Sequence, residues 1–146
     1  MGISVSKVLF VLQAFILAFC GSVKAESVLL PSAIVSIYDG DTFTVSFDGC
    51  PSVLCEKLSV RIYGIDAPEI RSHCESEKTG AIAAKKFLFE MIKNSRLVSL
   101  VNPQRDKYYR LRAAVFADGV NIGEEMLKRG LVRPYHGEKR LGWCGK

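Results

Sequence analysis

The sequence predicts an α+β chain built around a small closed antiparallel β-barrel of the OB type, with five short strands and two to three α-helices. Three observations carry that prediction. β-Rich and amphipathic stretches follow one another in the order three strands, a helix, two strands, a helix. Aspartate–glycine pairs mark the tight turns between them. The 146 residues, 49% apolar and 24% charged, suit one ordinary domain and exclude a disordered, collagen-like or coiled-coil chain.

The elements follow in order. Residues 33–38 (AIVSIY) and 43–47 (FTVSF) are β-rich runs separated by Asp39-Gly-Asp-Thr42, a tight-turn sequence. A loop over residues 48–56 then leads to a third strand, Leu58–Tyr63, making a hairpin with an enlarged tip that Cys50 and Cys55 could clamp. Gly64 to Glu75 reads as an ordered loop because Pro68 blocks helix there. From Glu77 to Lys93 the spacing is helical: Ala84, Phe87, Leu88 and Met91 form one apolar stripe, which is core packing. Leu97–Val101 and Ala113–Phe116 read as strands. Asp118-Gly119 then turns into a short helix with Asn121 as N-cap, Glu124 three residues on and Gly130 as its stop.

Residues 1–25 stand apart. Lys7 precedes the apolar run Val8–Phe19, and Val23-Lys-Ala25 has the small-residue spacing of a signal-peptidase site, so this segment reads as a secretory signal cleaved after Ala25. The apolar run is about 12 residues, short of the roughly 20 that a membrane span needs; an uncleaved anchor is the alternative. Residues 26–146 would then be the single mature domain, without a membrane span. Cleavage removes Lys7 and Lys24, so the 20 basic residues fall to 18 against 15 acidic, a modest excess compatible with a polyanionic partner. Cys20 falls in the signal, and the bulky Phe19 before it argues against lipid anchoring. The remaining four cysteines, Cys50, Cys55, Cys74 and Cys144, suggest two disulfides in an exported chain, with three pairings open. Zinc is the competing reading, but there is no C-x-x-C or H-x-x-x-H pair and only two histidines.

Five charged residues stand where charge is costly unless used. Asp41 follows a turn at a strand start, Arg61 interrupts the otherwise apolar Val60–Tyr63, Asp66 and Glu69 lie in the loop beyond, and Arg110 follows Asp106-Lys-Tyr-Tyr109. An arginine within an apolar strand must point to solvent, to a carboxylate or to a bound anion. Together the five make a set for cutting a phosphodiester. Two aspartates brought together invite a hard divalent cation with oxygen ligands, and a backbone carbonyl such as that of Ala67 could complete the protein side. Glu69 is placed to orient or deprotonate a water, and two arginines would grip the phosphate and its transition state.

At these positions a resemblance becomes specific. Tyr38-Asp-Gly-Asp-Thr42, Arg61-Ile-Tyr-Gly-Ile-Asp-Ala-Pro-Glu69 and Asp106-Lys-Tyr-Tyr-Arg110 resemble, in order and spacing, the three signature segments of the staphylococcal nuclease (thermonuclease) family. Residues 118–131 resemble the helix that follows them, and the likeness spans about residues 33–136. The resemblance implies an OB-fold barrel with a calcium-dependent phosphodiesterase site. Carried over by position, Asp41 and Asp66 would bind Ca²⁺ by side chain and Ala67, where the family often has threonine, by its carbonyl. Arg61 and Arg110 would be the phosphate-binding catalytic arginines, and Glu69 the general base or the residue that positions water. Asp39 would support the ligands from behind. Lys107 and Tyr108 match positions that help to hold the nucleotide, and Tyr135 lies near the place of a base-stacking tyrosine.

The chain also departs from that pattern. Tyr109 stands where a glycine usually precedes the second arginine, and Leu111 replaces a common small residue after it; bulk at this turn could displace Arg110. The family's long C-terminal helix is missing, and a short aromatic and basic tail, Tyr135–Cys144, takes its place. The expected pairing joins Cys74 to Cys144, pinning that tail near the active site, and leaves Cys50 with Cys55. His73 and His136 read as solvated loop residues, Trp143 as a packing anchor, Lys85 and Lys86 as a solvated helix face, and Arg112 as a surface residue within reach of a phosphate. The expectation is an exported Ca²⁺-dependent nuclease, secreted or periplasmic and monomeric, acting on DNA, RNA or both. The alternative is an OB-fold module that binds single strands without chemistry; all five charged residues of the set argue against it.

Overall fold

Alternating β-branched and aromatic residues build a curled sheet whose rim carries the charged segments. The computed structural model describes residues 26–30, 33–47, 51 and 57–145. The expected signal segment with Cys20, and the hairpin-tip residues Cys50 and Cys55, lie outside the described residues. The strands are β1 (Glu26–Leu29), β2 (Ile34–Ile37), β3 (Thr42–Val45), β4 (Leu58–Ile62), β5 (Ile65–Asp66), β6 (Val98–Arg105), β7 (Leu111–Ala117), β8 (Val120–Asn121) and β9 (Arg133–Pro134). Two helices, α1 (Glu75–Lys93) and α2 (Ile122–Lys128), complete the chain.

The main sheet runs β1-β6-β7-β4-β3-β2, with β8 added beside β7. It is a curled half-barrel covered by two helices, the fold class the sequence predicts, with more strands than the five expected. Within the described residues its path ends at β1 and β2 and is not closed. All pairings are antiparallel except β4 with β7. β1 joins the sheet against β6, and β6 runs past its expected end at Val101, through a register shift, to Arg105. The loop after β4 contributes a short ribbon of its own, β5 against β9.

The core is formed by Phe43, Val45, Val60, Ile62, Val98, Leu100 and Val115 from the sheet, with Ala84 and Leu88 of α1 and Ile122 and Met126 of α2 packed against them. The predicted stripe of α1 is only half engaged as core: Ala84 and Leu88 are buried, whereas Phe87 and Met91 are partly buried at the margin. Asn121 caps α2 by accepting a hydrogen bond from the Glu124 amide at 3.2 Å, as the spacing predicts. No described helix is long and apolar enough to cross a membrane.

One close approach fixes the end of the sheet that matters for function. A Cβ at Gly40 would lie 2.6 Å from the Ala84 Cβ and 2.9 Å from the Ala67 Cβ. Only glycine lets the Asp39–Asp41 turn wedge between α1 and the loop after β5.

Candidate active site

Period-two alternation in β4 sends Val60 and Ile62 into the core and Arg61 to the other face. All three are buried, Arg61 at 8% exposure, so the guanidinium must be neutralised by its surroundings. Register delivers the partner. β3 begins opposite it, with Thr42 paired to Arg61, and Asp41 precedes that residue. An Nη1–Oδ1 ion pair joins Arg61 to Asp41, while Arg61 Nη2 lies 3.5 Å from Asp66 and donates to the Ile65 carbonyl at 3.3 Å.

Asp41 is the most deeply set of the carboxylates, at 1% exposure. It accepts from the Thr42 hydroxyl at 2.8 Å and from the Ala67 amide at 2.8 Å. Asp39 accepts from the Asp41 amide at 3.1 Å and so braces the turn behind it. Burial pushes the Asp41 carboxyl up to about 6, with Arg61 opposing that rise and the Asp39 charge adding to it.

A second arginine completes the arrangement. Arg140 in the tail places Nη2 at 2.5 Å from Asp66 and Nη1 at 2.8 Å from Glu69. Charges therefore alternate through the site as Asp41, Arg61, Asp66, Arg140 and Glu69. Partial burial alone would lower the Arg140 pKa, but Asp66, followed by Glu69, more than offsets it and the pKa is raised. The sequence marked this residue only as part of a basic tail; the one signal that could have found it was the pairing of Cys144 with Cys74, five residues beyond Glu69. That disulfide is present.

Glu77, at the start of α1, is a second residue sequence reasoning missed. It accepts from the Glu69 amide at 3.0 Å and the Ser72 hydroxyl at 2.6 Å, tying down the loop that carries Glu69. The Ser72 hydroxyl is the main cause holding its carboxyl below the ordinary range.

Arg110 arrives separately, on the turn between β6 and β7. Asp106 accepts from the amides of Tyr108 and Arg110 at 2.8 and 3.0 Å and from Arg110 Nε at 2.8 Å. Burial alone would raise the Asp106 carboxyl, yet these bonds and the Arg110 charge lower it. Tyr109 sits in the left-handed region at φ 61°, which explains why glycine suits this position. The residue is 79% exposed, so its bulk goes to solvent and leaves Arg110 anchored to Asp106. Arg110 then stacks on Tyr108, 5.2 Å from the ring centre, and Lys107 also approaches that ring, at 5.1 Å.

These groups share a cleft of about 460 Å³ that Arg61, Glu69, Lys107, Tyr108, Arg110 and Arg140 line, together with Tyr135. An adjoining cavity extends past Tyr63, Arg112 and His136. Arg112 stacks on Tyr63 at 5.2 Å and donates to Gln104. His73 and His136 are exposed. Lys85 departs from the expected solvated face, because it donates to the Tyr38 carbonyl at 3.2 Å. Trp143 anchors the tail, with the Arg133 guanidinium 3.7 Å above its ring.

The donor set fits a hard cation. Asp41, Asp66 and the Ala67 main chain offer oxygen. Asp66, at 5% exposure, keeps Oδ1 buried with no aligned hydrogen bond, although two guanidinium nitrogens face it. Arg61 bridges Asp41 and Asp66, and Arg140 bridges Asp66 and Glu69. Among the described residues, the one trio of ligand atoms within 4.8 Å of one another is Cys74, Glu77 and Cys144, and its cysteines are spent in the disulfide.

Two of the three charged segments, 61–69 and 106–110, and the helix that follows them fall within residues 59–141, which match the family model described as staphylococcal nuclease homologue; the first segment, 38–42, precedes that range. The chain belongs to the staphylococcal nuclease family. Among curated relatives, it is 33% identical to Endonuclease YncB of Bacillus subtilis over 112 residues, covering 75% of this chain and 48% of that protein. An uncharacterized endonuclease of Haemophilus influenzae is 34% identical over 102 residues, 70% of this chain and 51% of the relative. The probable staphylococcal-like nuclease CAN1 of rice, Oryza sativa subsp. japonica, is 35% identical over 83 residues, 57% of this chain and 23% of that one. The chain thus spans about half the length of the first two relatives and less of the third.

Proposed function

We propose that the protein is an exported, Ca²⁺-dependent nuclease that hydrolyses phosphodiester bonds of DNA, RNA or both. The observation that carries this reading is one cleft holding a half-exposed glutamate beside buried aspartates, with Arg61 and Arg110 both lining it. Membership of the family, and relatives named as endonucleases, support the same class of reaction.

Asp41, Asp66 and the Ala67 carbonyl would hold the calcium ion. When bound, it supplies charge neutralisation at a non-bridging phosphate oxygen. Glu69, presented to the cleft by a loop that Glu77 ties down, orients a water and takes its proton as the water oxygen attacks phosphorus. Arg110, aligned by Asp106, and Arg61 donate to the phosphate oxygens as negative charge builds on the five-coordinate phosphorus. The bond to the 5′-oxygen breaks. Lys107, Tyr108 and Tyr135, on the rim of the same cleft, grip the neighbouring nucleotide by charge and stacking.

Export is supported by the signal-like pattern of residues 1–25 and by the Cys74–Cys144 disulfide, which suits an oxidising compartment. Extracellular calcium, at millimolar level, would load even a weak oxygen site. We propose a monomer.

Hydrolysis of single-stranded DNA, double-stranded DNA and RNA by the mature chain, in calcium, in magnesium and in chelator, tests the reading. Calcium-dependent cutting that Arg110→Ala reduces at least a hundredfold is the expected result. Tight single-strand binding with no cleavage in any metal would instead make it a binding module.

A further inference from the structure

The tail that carries Arg140 is anchored on both sides without it. Upstream, the β5–β9 ribbon and the bond from the Tyr135 amide to the Gly64 carbonyl at 2.9 Å fix residues 133–135. Downstream, the Cys74–Cys144 disulfide closes the tail. Between them, Arg133 stacks on Trp143 and donates to the carbonyls of Leu141 and Gly142 at 2.8 and 3.1 Å. The ion pairs of Arg140 are therefore not needed to hold the segment in place.

Its two partners are also the ones the proposed reaction commits elsewhere, Asp66 to a cation and Glu69 to a water. Arg61 shares this situation, since Asp41 and Asp66, its partners, are both committed to the cation. Arg110 differs, because it keeps Asp106, a carboxylate with no role in the chemistry. Once Asp66 and Glu69 are engaged, the Arg140 guanidinium is left without an acceptor while the anchored tail keeps it in the cleft. A planar, bidentate donor so placed matches a phosphate.

We propose that Arg140 is a substrate-binding residue, a third arginine that contacts a phosphate of the bound nucleic acid and rests on Asp66 and Glu69 when none is present. This deepens the nuclease reading and rests on it.

Binding of a fluorescent single-stranded DNA with hydrolysis-resistant phosphorothioate linkages, followed by anisotropy in calcium across a salt series, tests the proposal on the wild type, Arg140→Ala and Arg140→Lys. Arg140→Ala should weaken binding about tenfold or more, as loss of a charge-assisted hydrogen bond does. The slope of log affinity against log salt should fall by about 0.7, one phosphate contact on a single strand, and Arg140→Lys should restore the slope. Both variants should show a cooperative thermal unfolding transition, because the tail keeps its other anchors. Unchanged affinity and slope in Arg140→Ala would overturn the proposal. So would a loss of affinity with the salt slope intact, the mark of a structural role. Hydrolysis of unmodified DNA by the wild type, run alongside, reads the nuclease reading separately: cutting with a null result at Arg140 overturns only this inference, whereas no cutting in any metal overturns the parent reading.

Discussion

Two sets of residues meet at the cleft, and they are built by different means. Asp41, Arg61 and Asp66 lie on strands or one residue from a strand start, are nearly inaccessible, and neutralise one another. Lys107, Tyr108, Arg110 and Arg140 come from a turn and from the tail, and are exposed or half-exposed. A metal site and a phosphate grip make opposite demands. The first needs charges fixed and dehydrated, which the sheet supplies at the cost of burying them. The second needs donors that reach a long polymer from solvent, which loops on a rigid scaffold supply.

If the buried set is a balanced network, removing its central cation should have the largest effect on stability. Arg61→Ala leaves Asp41 and its neighbours uncompensated and should destabilise the fold by about 3–5 kcal/mol, measured by urea unfolding at neutral pH. A stability change near zero would erase the distinction between the two sets.

Asp41 sharpens the same contrast in the other direction. Its carboxyl is raised to about 6 in the folded protein against an ordinary value of 3.8, so between those values the folded state binds more protons than the unfolded one and stability falls as pH rises. Ionised Asp41 therefore costs the fold on the order of 3 kcal/mol above pH 6. Asp41→Asn removes this titration, so between pH 4 and pH 7 the wild type should lose stability relative to the variant by up to that amount, while nuclease activity is lost. Paired urea curves at the two pH values check it.

The exposed set should respond far less. Tyr109 holds φ 61°, a conformation that strains a residue with a Cβ by about 1–2 kcal/mol. Tyr109→Gly relieves that strain but frees the unfolded chain, which offsets about 0.4–1 kcal/mol. The net expectation is a gain of about 0.5 kcal/mol in urea with unchanged cleavage, because Arg110 is aligned by Asp106 rather than by the residue before it.

Much of this was legible in the sequence because the buried set sits in patterned elements. Arg61 breaks an apolar strand, and Asp41 and Asp66 flank turn and proline signals, so each is conspicuous by its cost. What escaped notice lacked such a pattern. β1 follows directly on the signal-like segment with no turn residue to mark its start, and the polar end of β6, Asn102-Pro-Gln-Arg105, does not alternate because the strand is irregular there, with Asn102 at positive φ. β9 contains Pro134, which reads as a breaker but is tolerated in a two-residue edge ribbon. Arg140 is one charge among several in an exposed tail. The closure between Cys74 and Cys144 brings the tail to the site, as expected, but nothing in the local sequence singles out Arg140 as the residue that reaches Asp66 and Glu69.

The most direct test of the site is the rate of the bond-breaking step, measured in a single turnover with calcium, for the wild type and Glu69→Gln. Glu69 is half-exposed and its ion pair lies at the surface, so the substitution should leave stability unchanged. The expected result is a fall of about 10²–10⁴-fold in that rate, the contribution of a positioned general base. Cleavage by Glu69→Gln at the wild-type rate would contradict it.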